Sequence, residues 1–237
     1  MKPILLSKPV SAVTRAVACV TLACALSAPL MAKKSELPEV SSDGLHLVPD
    51  TKVYAVYAKQ GIALGQYTKV KLLDCYVQFK DNYQREYNMD EIGLQGRIST
   101  QDMETIKQRL AEEFRKVFTE QLQKAGHQVV DEAGPDVLLL RPAIINLDVT
   151  APDLMKSGRG NTYVNSAGQM TLYMELYDSA SSELLARIID PEAGQEGGFG
   201  FVASRVTNQR EADLILRRWA DLLGAHLSSA QQQVAGQ

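Results

Sequence analysis

The sequence predicts an α+β domain, in which a mixed, mostly antiparallel sheet of about four to five strands carries two main helices on one face. Two observations predict the helices: an apolar stripe with helical spacing lies within residues 99–125, and a second begins near residue 208. A third predicts the sheet, because strand-like segments precede the first stripe and separate the two. Both stripes can be buried against the same face of that sheet.

The first strands are predicted before the first helix. Residues 51–57 alternate like a short strand, and residues 67–79 form the first convincing one, with lysines interleaved among apolar side chains. The polar, glycine-containing residues 80–98 then predict a long surface loop.

Three residues of this loop form a candidate binding site, namely Tyr83, Arg85 and Tyr87. The alternative is that the two tyrosine rings lie over the edge of the core while their hydroxyl groups reach water.

The helix within residues 99–125 has a defined start and end. Ser99 can cap its free amide groups, and Asp102 follows three residues later as in a capping box. Gly126 is typical of a helix C-terminus. The apolar stripe, which we interpret as core, comprises Ile106, Leu110, Phe114, Val117, Phe118 and Leu122.

The remaining strands follow this helix. Residues 128–130 are short and strand-like, and residues 136–149 form a long strand in which Pro142 requires a bulge or a sheet edge. Residues 169–177 alternate and return through residues 183–190 as a hairpin. We therefore expect an antiparallel hairpin and one parallel strand–helix–strand crossover.

The carboxyl-terminal part contains a loop, a helix and a tail. Residues 191–201 are rich in glycine and predict a connecting loop rather than a phosphate-binding loop, since no Lys-Ser/Thr pair follows. The last helix starts near Asn208, with Glu211 three residues on. Residues 231–237 are expected to fray. The domain itself spans residues 51–230.

The amino-terminal segment has the features of an export signal. Lys2, Lys8 and Arg15 precede an apolar, alanine-rich stretch from residue 16 to residue 32, and the first acidic residue is Glu36. This order is typical of a secretory signal peptide, so we predict that residues 1–32 are removed after Ala32. Residues 33–50 follow as an extended polar leader.

Lipidation is the alternative to cleavage after Ala32. Thr21-Leu22-Ala23-Cys24 matches a bacterial lipoprotein signal at its alanine and cysteine, although threonine stands where leucine is expected. Cleavage after Ala32 places the protein in the periplasm. Acylation of Cys24 anchors it to the outer membrane through its acyl chains.

Composition restricts the remaining chemistry. After cleavage at Ala32, Cys75 is the only cysteine, and its apolar surroundings predict a buried, inert thiol. The net charge of −3 and the lack of a basic stripe argue against nucleic acid as a partner. His46, His127 and His226 show no metal-ligand spacing, and no cofactor motif occurs, so we expect neither metal nor cofactor.

Most of the mature sequence resembles a known family. The resemblance rests on the leader with residues 51–80 (LPEVSSDGLHLVPDTKVYAVYAKQGIALGQYTKVKLLDCYVQFK), on AGPDVLLLRPAIINLDVTAPD, and on the hairpin AGQMTLYMELYDSASSELLARIIDPEA. These segments look like a proteobacterial lipoprotein-type family known only as a domain of unknown function (number 3313). The resemblance implies an exported or lipid-anchored envelope protein with an α+β body, and it supplies no catalytic residues.

Three functions remain open at this point. The first is a non-catalytic envelope protein that binds or scaffolds another envelope protein or component, with membrane contact only through a possible lipid anchor. The second is a hydrolase of an envelope polymer that uses paired carboxylates, for which Asp148, Asp153, Glu175 and Asp178 are candidates. The third is a periplasmic carrier of a small molecule.

Overall fold

The computed structural model describes residues 37–90, 96–149, 162–164, 168–193, 201–203 and 205–236. The predicted signal peptide and the alternative lipidation site Cys24 lie outside these residues. The helices are α1 (Tyr83–Asp90), α2 (Thr100–Lys124) and α3 (Arg205–Ala235). The strands are β1 (His46–Leu47), β2 (Ala55–Ala58), β3 (Lys69–Leu72), β4 (Tyr76–Phe79), β5 (Gln128–Val129), β6 (Val137–Val149), β7 (Thr162–Val164), β8 (Gly168–Asp178), β9 (Leu184–Ala193) and β10 (Phe201–Ala203).

The predicted α+β class is confirmed, but the sheet is larger than expected. Eight strands form one mixed sheet in the order β1-β2-β9-β8-β6-β3-β5, and β4 also pairs with β6. Strands β7 and β10 form a separate antiparallel pair. The prediction fell short because the two-residue β1 lies in the predicted extended leader, and because residues 67–79 contain two strands instead of one.

Pro142 accounts for the division of residues 67–79. Strand β3 pairs with β6 as far as Leu140, and β4 resumes the pairing at Ala143. The carbonyl of Leu140 accepts from Leu73 N–H, so it points towards β3 and β4. Pro142 lies two residues further along β6, so its nitrogen points to the same side. Because proline has no N–H to donate, the partner strand breaks there. Pro142 thus lies at a local sheet edge, as predicted.

The predicted strand directions are also confirmed. Strands β3 and β4 run parallel to β6, and α1 and α2 lie between them in the chain. Strands β8 and β9 form the antiparallel hairpin, and β8 also pairs antiparallel with β6.

Helices α2 and α3 share one core with the sheet. Ser99 and Asp102 form the predicted capping box at the start of α2. The buried stripe of α2 meets that of α3 and the inward side chains of β6, β8 and β9 in a single apolar cluster. The fully buried members on the two helices include Phe114, Val117, Phe118, Leu122, Leu216, Ala220 and Leu227. We call the opposite side of the sheet the outer face.

Two local predictions are wrong. Within the predicted loop 80–98, residues 83–90 form α1, which is held because Tyr83 and Tyr87, one turn apart, pack against the core. The predicted frayed tail is helical through Ala235, and Gln231 Nε2 donates to the carbonyl of Tyr67 at 2.8 Å. Within the described residues, no helix has both the length and the apolarity to cross a membrane.

The leader is also more ordered than an extended spacer. We call residues 37–50 the strap. Its Leu45 is buried with Ala55 and Tyr57 in a second, small apolar cluster, on which Leu37, Leu47 and Ile189 also pack. In β2, Ala55 and Tyr57 alternate with the residues that face the core, so their side chains lie on the outer face. The strap therefore covers the part of the outer face that β2 and β9 form.

Candidate functional site

A polar cluster lies at the centre of the outer face, beside the strap. The alternation of β8 directs Tyr173, Glu175 and Tyr177 to this face while Met174 and Leu176 enter the core. Glu175 lies between Arg141 of β6 and Arg187 of β9 in the register of the sheet.

Glu175 is the acceptor that joins these side chains. Its Oε1 accepts from the hydroxyl of Tyr173 and from Nη2 of Arg187, both at 3.0 Å, and its Oε2 accepts from the hydroxyl of Tyr177 at 2.7 Å. Nη1 of Arg141 lies 3.6 Å from the same Oε2. The Glu175 side chain is only 10% exposed, so these donors replace most of its hydration.

Arg187 joins Glu175 to the strap. Its guanidinium donates to both carboxylate oxygens of Asp43, with Nη1 to Oδ1 at 3.3 Å and Nη2 to Oδ2. The guanidinium carbon also lies 5.4 Å from the centre of the Tyr173 ring. This two-pronged geometry is the usual way in which arginine binds a carboxylate.

The electrostatics keep both carboxylates charged. Hydrogen bonds from Arg187 and Ser41 lower the pKa of Asp43 to about 2. Burial acts to raise the pKa of Glu175, but hydrogen bonds from Tyr177, Arg187 and Tyr173 outweigh it and hold the pKa below its usual value. Burial opposes the charge on Arg187, yet the two carboxylates raise the pKa of its guanidinium.

Beyond the strap, the outer face continues over β4, β6 and β8, and we call this part the open half. It comprises Tyr76, Leu139, Arg141, Ala143, Ile145, Tyr173 and Tyr177. Tyr76 is 61% exposed, and the side chain of Arg141 is 66% exposed. Leu139, Ala143 and Ile145 are each half-buried. The open half therefore combines apolar and aromatic area with an exposed guanidinium.

The predicted binding residues do not join this cluster. The Tyr83 side chain is buried, its ring centre lies 4.5 Å from that of Phe79, and its hydroxyl donates to the Val149 carbonyl at 2.8 Å. Tyr87 is partly buried against the core, and Arg85 is exposed on α1. For Tyr83, neither prediction describes the structure, because its ring is buried in the core and its hydroxyl is bonded to the backbone instead of reaching water. Ligand binding by Arg85 and Tyr87 stays a prediction.

The candidate catalytic carboxylates are separated. Glu175 is on the outer face. Asp178 lies three residues further along β8, which turns it to the opposite face, and its carboxylate accepts from the hydroxyl of core residue Tyr67. Asp148 pairs with Gln169, which is six residues or ~20 Å from Glu175 along β8. Glycosidase carboxyl pairs lie within about 10 Å, so Glu175 and Asp148 do not form one. Asp153 lies outside the described residues.

The histidines and a surface cleft give no separate site. No group of metal-binding side chains occurs among the described residues. His127 is buried, with its Nε2 3.2 Å from Ser228 Oγ.

A cleft of about 450 Å³ is lined by Lys80, Asn146, Gln169, Met170, Thr171, Pro191, Glu192 and Ala193. The Lys80 amine already contacts Asp148 at 2.8 Å, and Glu192 pairs with Arg218.

The sequence contained a signal for part of the outer-face cluster. Alternation in residues 169–177 already put Tyr173, Glu175 and Tyr177 on one face. Counting back from Tyr177 and Leu184 would align Glu175 with Ala186, and a register shift between Leu176 and Tyr177 brings Arg187 opposite Glu175 instead. Asp43 carried no such signal, because 144 residues separate it from Arg187.

Three solved structures show distant similarity. The PelC dodecamer from Paraburkholderia phytofirmans has 11% identity and a TM-score of 0.36, with 70% of this chain and 96% of that chain covered. Protein XCC0632 from Xanthomonas campestris, a DUF330 protein, has 11% identity and a TM-score of 0.39, covering 72% and 90%. A minor lipoprotein from Acinetobacter baumannii has 9% identity and a TM-score of 0.32, covering 69% and 94%.

Sequence comparison identifies the family. No curated protein matches the chain significantly. The family model described as "Protein of unknown function (DUF3313)" matches residues 40–223, which include most of the strap, the whole polar cluster and most of α3. The chain therefore belongs to the DUF3313 family of proteins of unknown function.

Proposed function

We propose that the mature chain is a non-catalytic component of the cell envelope, which binds another envelope protein through the open half of the outer face. The observation that carries the proposal is the composition of this surface: three tyrosines, a mostly exposed arginine and half-buried aliphatic side chains on one sheet face. Tyrosine and arginine are enriched in the hot spots of protein interfaces.

The charges of the open half favour an acidic partner. Glu175 is 10% exposed and already accepts from three donors, whereas Arg141 is 66% exposed. An incoming carboxylate can accept from Arg141 in the two-pronged geometry that arginine favours. We therefore expect aspartate or glutamate at the centre of the partner's surface.

The same cluster is poorly suited to hydrolysis. A general acid needs a raised pKa, and the pKa of Glu175 is held below its usual value by its hydrogen bonds. The Glu175 oxygens are already held by protein donors, which leaves little capacity to position a water molecule.

Photocrosslinking in the native host tests the binding surface. A photoreactive amino acid in place of Tyr76 should crosslink to one partner, and Arg141→Glu should reduce that yield. The same probe at Leu214 of α3, which is 49% exposed, is the matched control and should give little product. With the purified partner, Arg141→Glu should weaken binding by about tenfold or more. Equal yields at both positions, or unchanged affinity, would contradict the proposal.

Export and anchoring form a separate part of the proposal. Its support is the positive, apolar and small-residue order of residues 1–32. Intact mass and amino-terminal sequencing of the protein from its host envelope distinguish the two forms. A start at Lys33 indicates the unanchored periplasmic form, and a start at Cys24 with acyl chains indicates the anchored form. A chain that still begins at Met1 would contradict export by either route.

A further inference from the structure

The strap is attached to the sheet at few points. Within residues 37–50, only Leu45 is buried, and most of the other residues are exposed. Strand β1 pairs with β2 over two residues, and the hydroxyl of Tyr57 donates to the Pro38 carbonyl at 3.1 Å. A segment with so little buried area opens at a much lower free energy than the central strands.

Two strap side chains make the attachment specific. Asp43 binds the guanidinium of Arg187, and Leu45 fills the apolar site beside Ala55 and Tyr57. A tight turn between Ser41 and Leu45 brings both side chains to the sheet, and Gly44 in this turn has a φ of +82° that favours glycine. The recognised element is therefore the tripeptide Asp-Gly-Leu in a turn.

The sheet itself supplies contacts that hold Arg187 in place. Glu175 fixes Arg187 from the sheet side, and the Tyr173 ring supports the guanidinium. When Asp43 leaves, Arg141 and Arg187 share the single carboxylate of Glu175, so the local charge becomes positive. This favours the entry of another carboxylate.

We propose that the strap is a displaceable internal ligand. The site beneath it, formed by Arg187, Ala55 and Tyr57, then binds in trans the strap of a second copy of this chain, since that segment carries the aspartate and leucine that fit the site. Asp43 of the second copy replaces Asp43 on Arg187, and its Leu45 replaces Leu45. This goes beyond the proposed function, because it concerns the covered half of the outer face and does not require the open half.

The test uses the mature chain and one defined peptide. The probe is a fluorescent, end-blocked peptide of residues 37–48, LPEVSSDGLHLV, and the control peptide carries Asn for Asp43 and Ala for Leu45. The double variant Asp43→Asn/Leu45→Ala weakens the strap of the protein itself. This variant should bind the probe about tenfold more tightly than the control peptide, and more tightly than the wild-type chain does. Adding Arg187→Gln should abolish the preference for the probe.

Hydrogen exchange keeps the test independent of how the variants fold. In the wild-type chain, the amides of Leu45 and Leu47, which donate to Ser41 and Glu39, should exchange much faster than those at the centre of β8. Equal protection of the strap and β8 would overturn the proposal. So would equal binding of both peptides, or no binding, by a folded double variant.

Sedimentation then identifies the source of the peptide segment. Concentration-dependent self-association of the wild-type chain that Asp43→Asn weakens indicates a second copy of this chain. A wild-type chain that stays monomeric at high concentration would overturn the second copy as the occupant. Selective binding of the probe establishes the site itself.

Discussion

At the scale of single residues, attachment of the strap to the outer face depends on how Arg187 is paired. Arg187 is 15% exposed and lies between the carboxylates of Asp43 and Glu175. A largely buried cation is tolerated only when such partners replace its lost hydration. Because Asp43 belongs to the strap and Glu175 to the sheet, one guanidinium connects a peripheral segment to a central strand.

This arrangement predicts acid sensitivity of strap attachment. The pKa of Asp43 is lowered to about 2 in the folded chain, below its value of 3.8 without partners. Its contribution to stability is therefore present above about pH 4 and lost as the pH falls towards 2. The free energy of unfolding of wild type should fall more between pH 5 and pH 3 than that of Asp43→Asn. Asp50→Asn, which removes an exposed strap carboxylate, should behave like wild type.

Cys75 gives a second prediction at this scale. It is buried, as the sequence predicted, and burial raises the pKa of its thiol to about 12. Because the thiolate is the reactive form, labelling by a disulfide reagent at pH 8 should be slow in the native protein. In urea the labelling should become rapid. Rapid labelling without denaturant would show that the thiol is accessible.

At the scale of elements, the end of α3 is fixed by close contact with a short 3-10 turn at Leu64–Gln66. A Cβ atom placed on Gly65 would lie 2.3 Å from the carbonyl oxygen of Ala230 and 2.6 Å from a methyl of Val234. Both groups belong to the last turns of α3, and a backbone carbonyl cannot easily move away. Together with the bond from Gln231 to the Tyr67 carbonyl, this contact keeps the end of the helix on the body.

Gly65→Ala should therefore destabilise the protein by about 1–3 kcal/mol, as overpacking generally does. The matched control is Gly134→Ala, whose Cβ would meet a methyl of Val137 at an acceptable 3.4 Å. Its effect should be close to zero, because alanine there also restricts the unfolded chain. Urea unfolding measures both. Equal stability of the two variants would contradict the close approach of α3.

The elements also show which features a sequence can predict. The α2 stripe, its capping box and the β8–β9 hairpin were predictable because their signals are local and periodic. Helix α1 was not, because most of its residues are polar and, among those whose side chains the structure describes, Tyr83 and Tyr87 pack on the core. The strap and the helical tail were missed for a similar reason. Asp43 and Gln231 are held by residues more than one hundred positions away, and such contacts leave no local pattern.

At the scale of the whole molecule, Asp190 links three parts, namely the chain just before β2, the β8–β9 hairpin and helix α3. It is 3% exposed on the core side of β9, and its Oδ2 accepts from Nε1 of Trp219 at 2.8 Å. Its Oδ1 accepts from the backbone N–H of Tyr54 at 2.7 Å, and Nη1 of Arg218 lies 3.8 Å from Oδ2. The carboxylate thus fixes the chain just before β2, on which the strap site depends.

Asp190→Ala should consequently destabilise the protein by about 3 kcal/mol, because it removes the acceptor of the buried Trp219 N–H and of the part-buried Tyr54 N–H. Asp190→Asn keeps an acceptor oxygen for one of them and should cost less. Trp219 is the single tryptophan, so its fluorescence reports both the loss of its hydrogen bond and urea unfolding. Asp190→Ala should also speed hydrogen exchange in β2 and the strap more than in β6. If exchange rises equally in β6, Asp190 stabilises the core as a whole and does not specifically hold the strap side of the sheet.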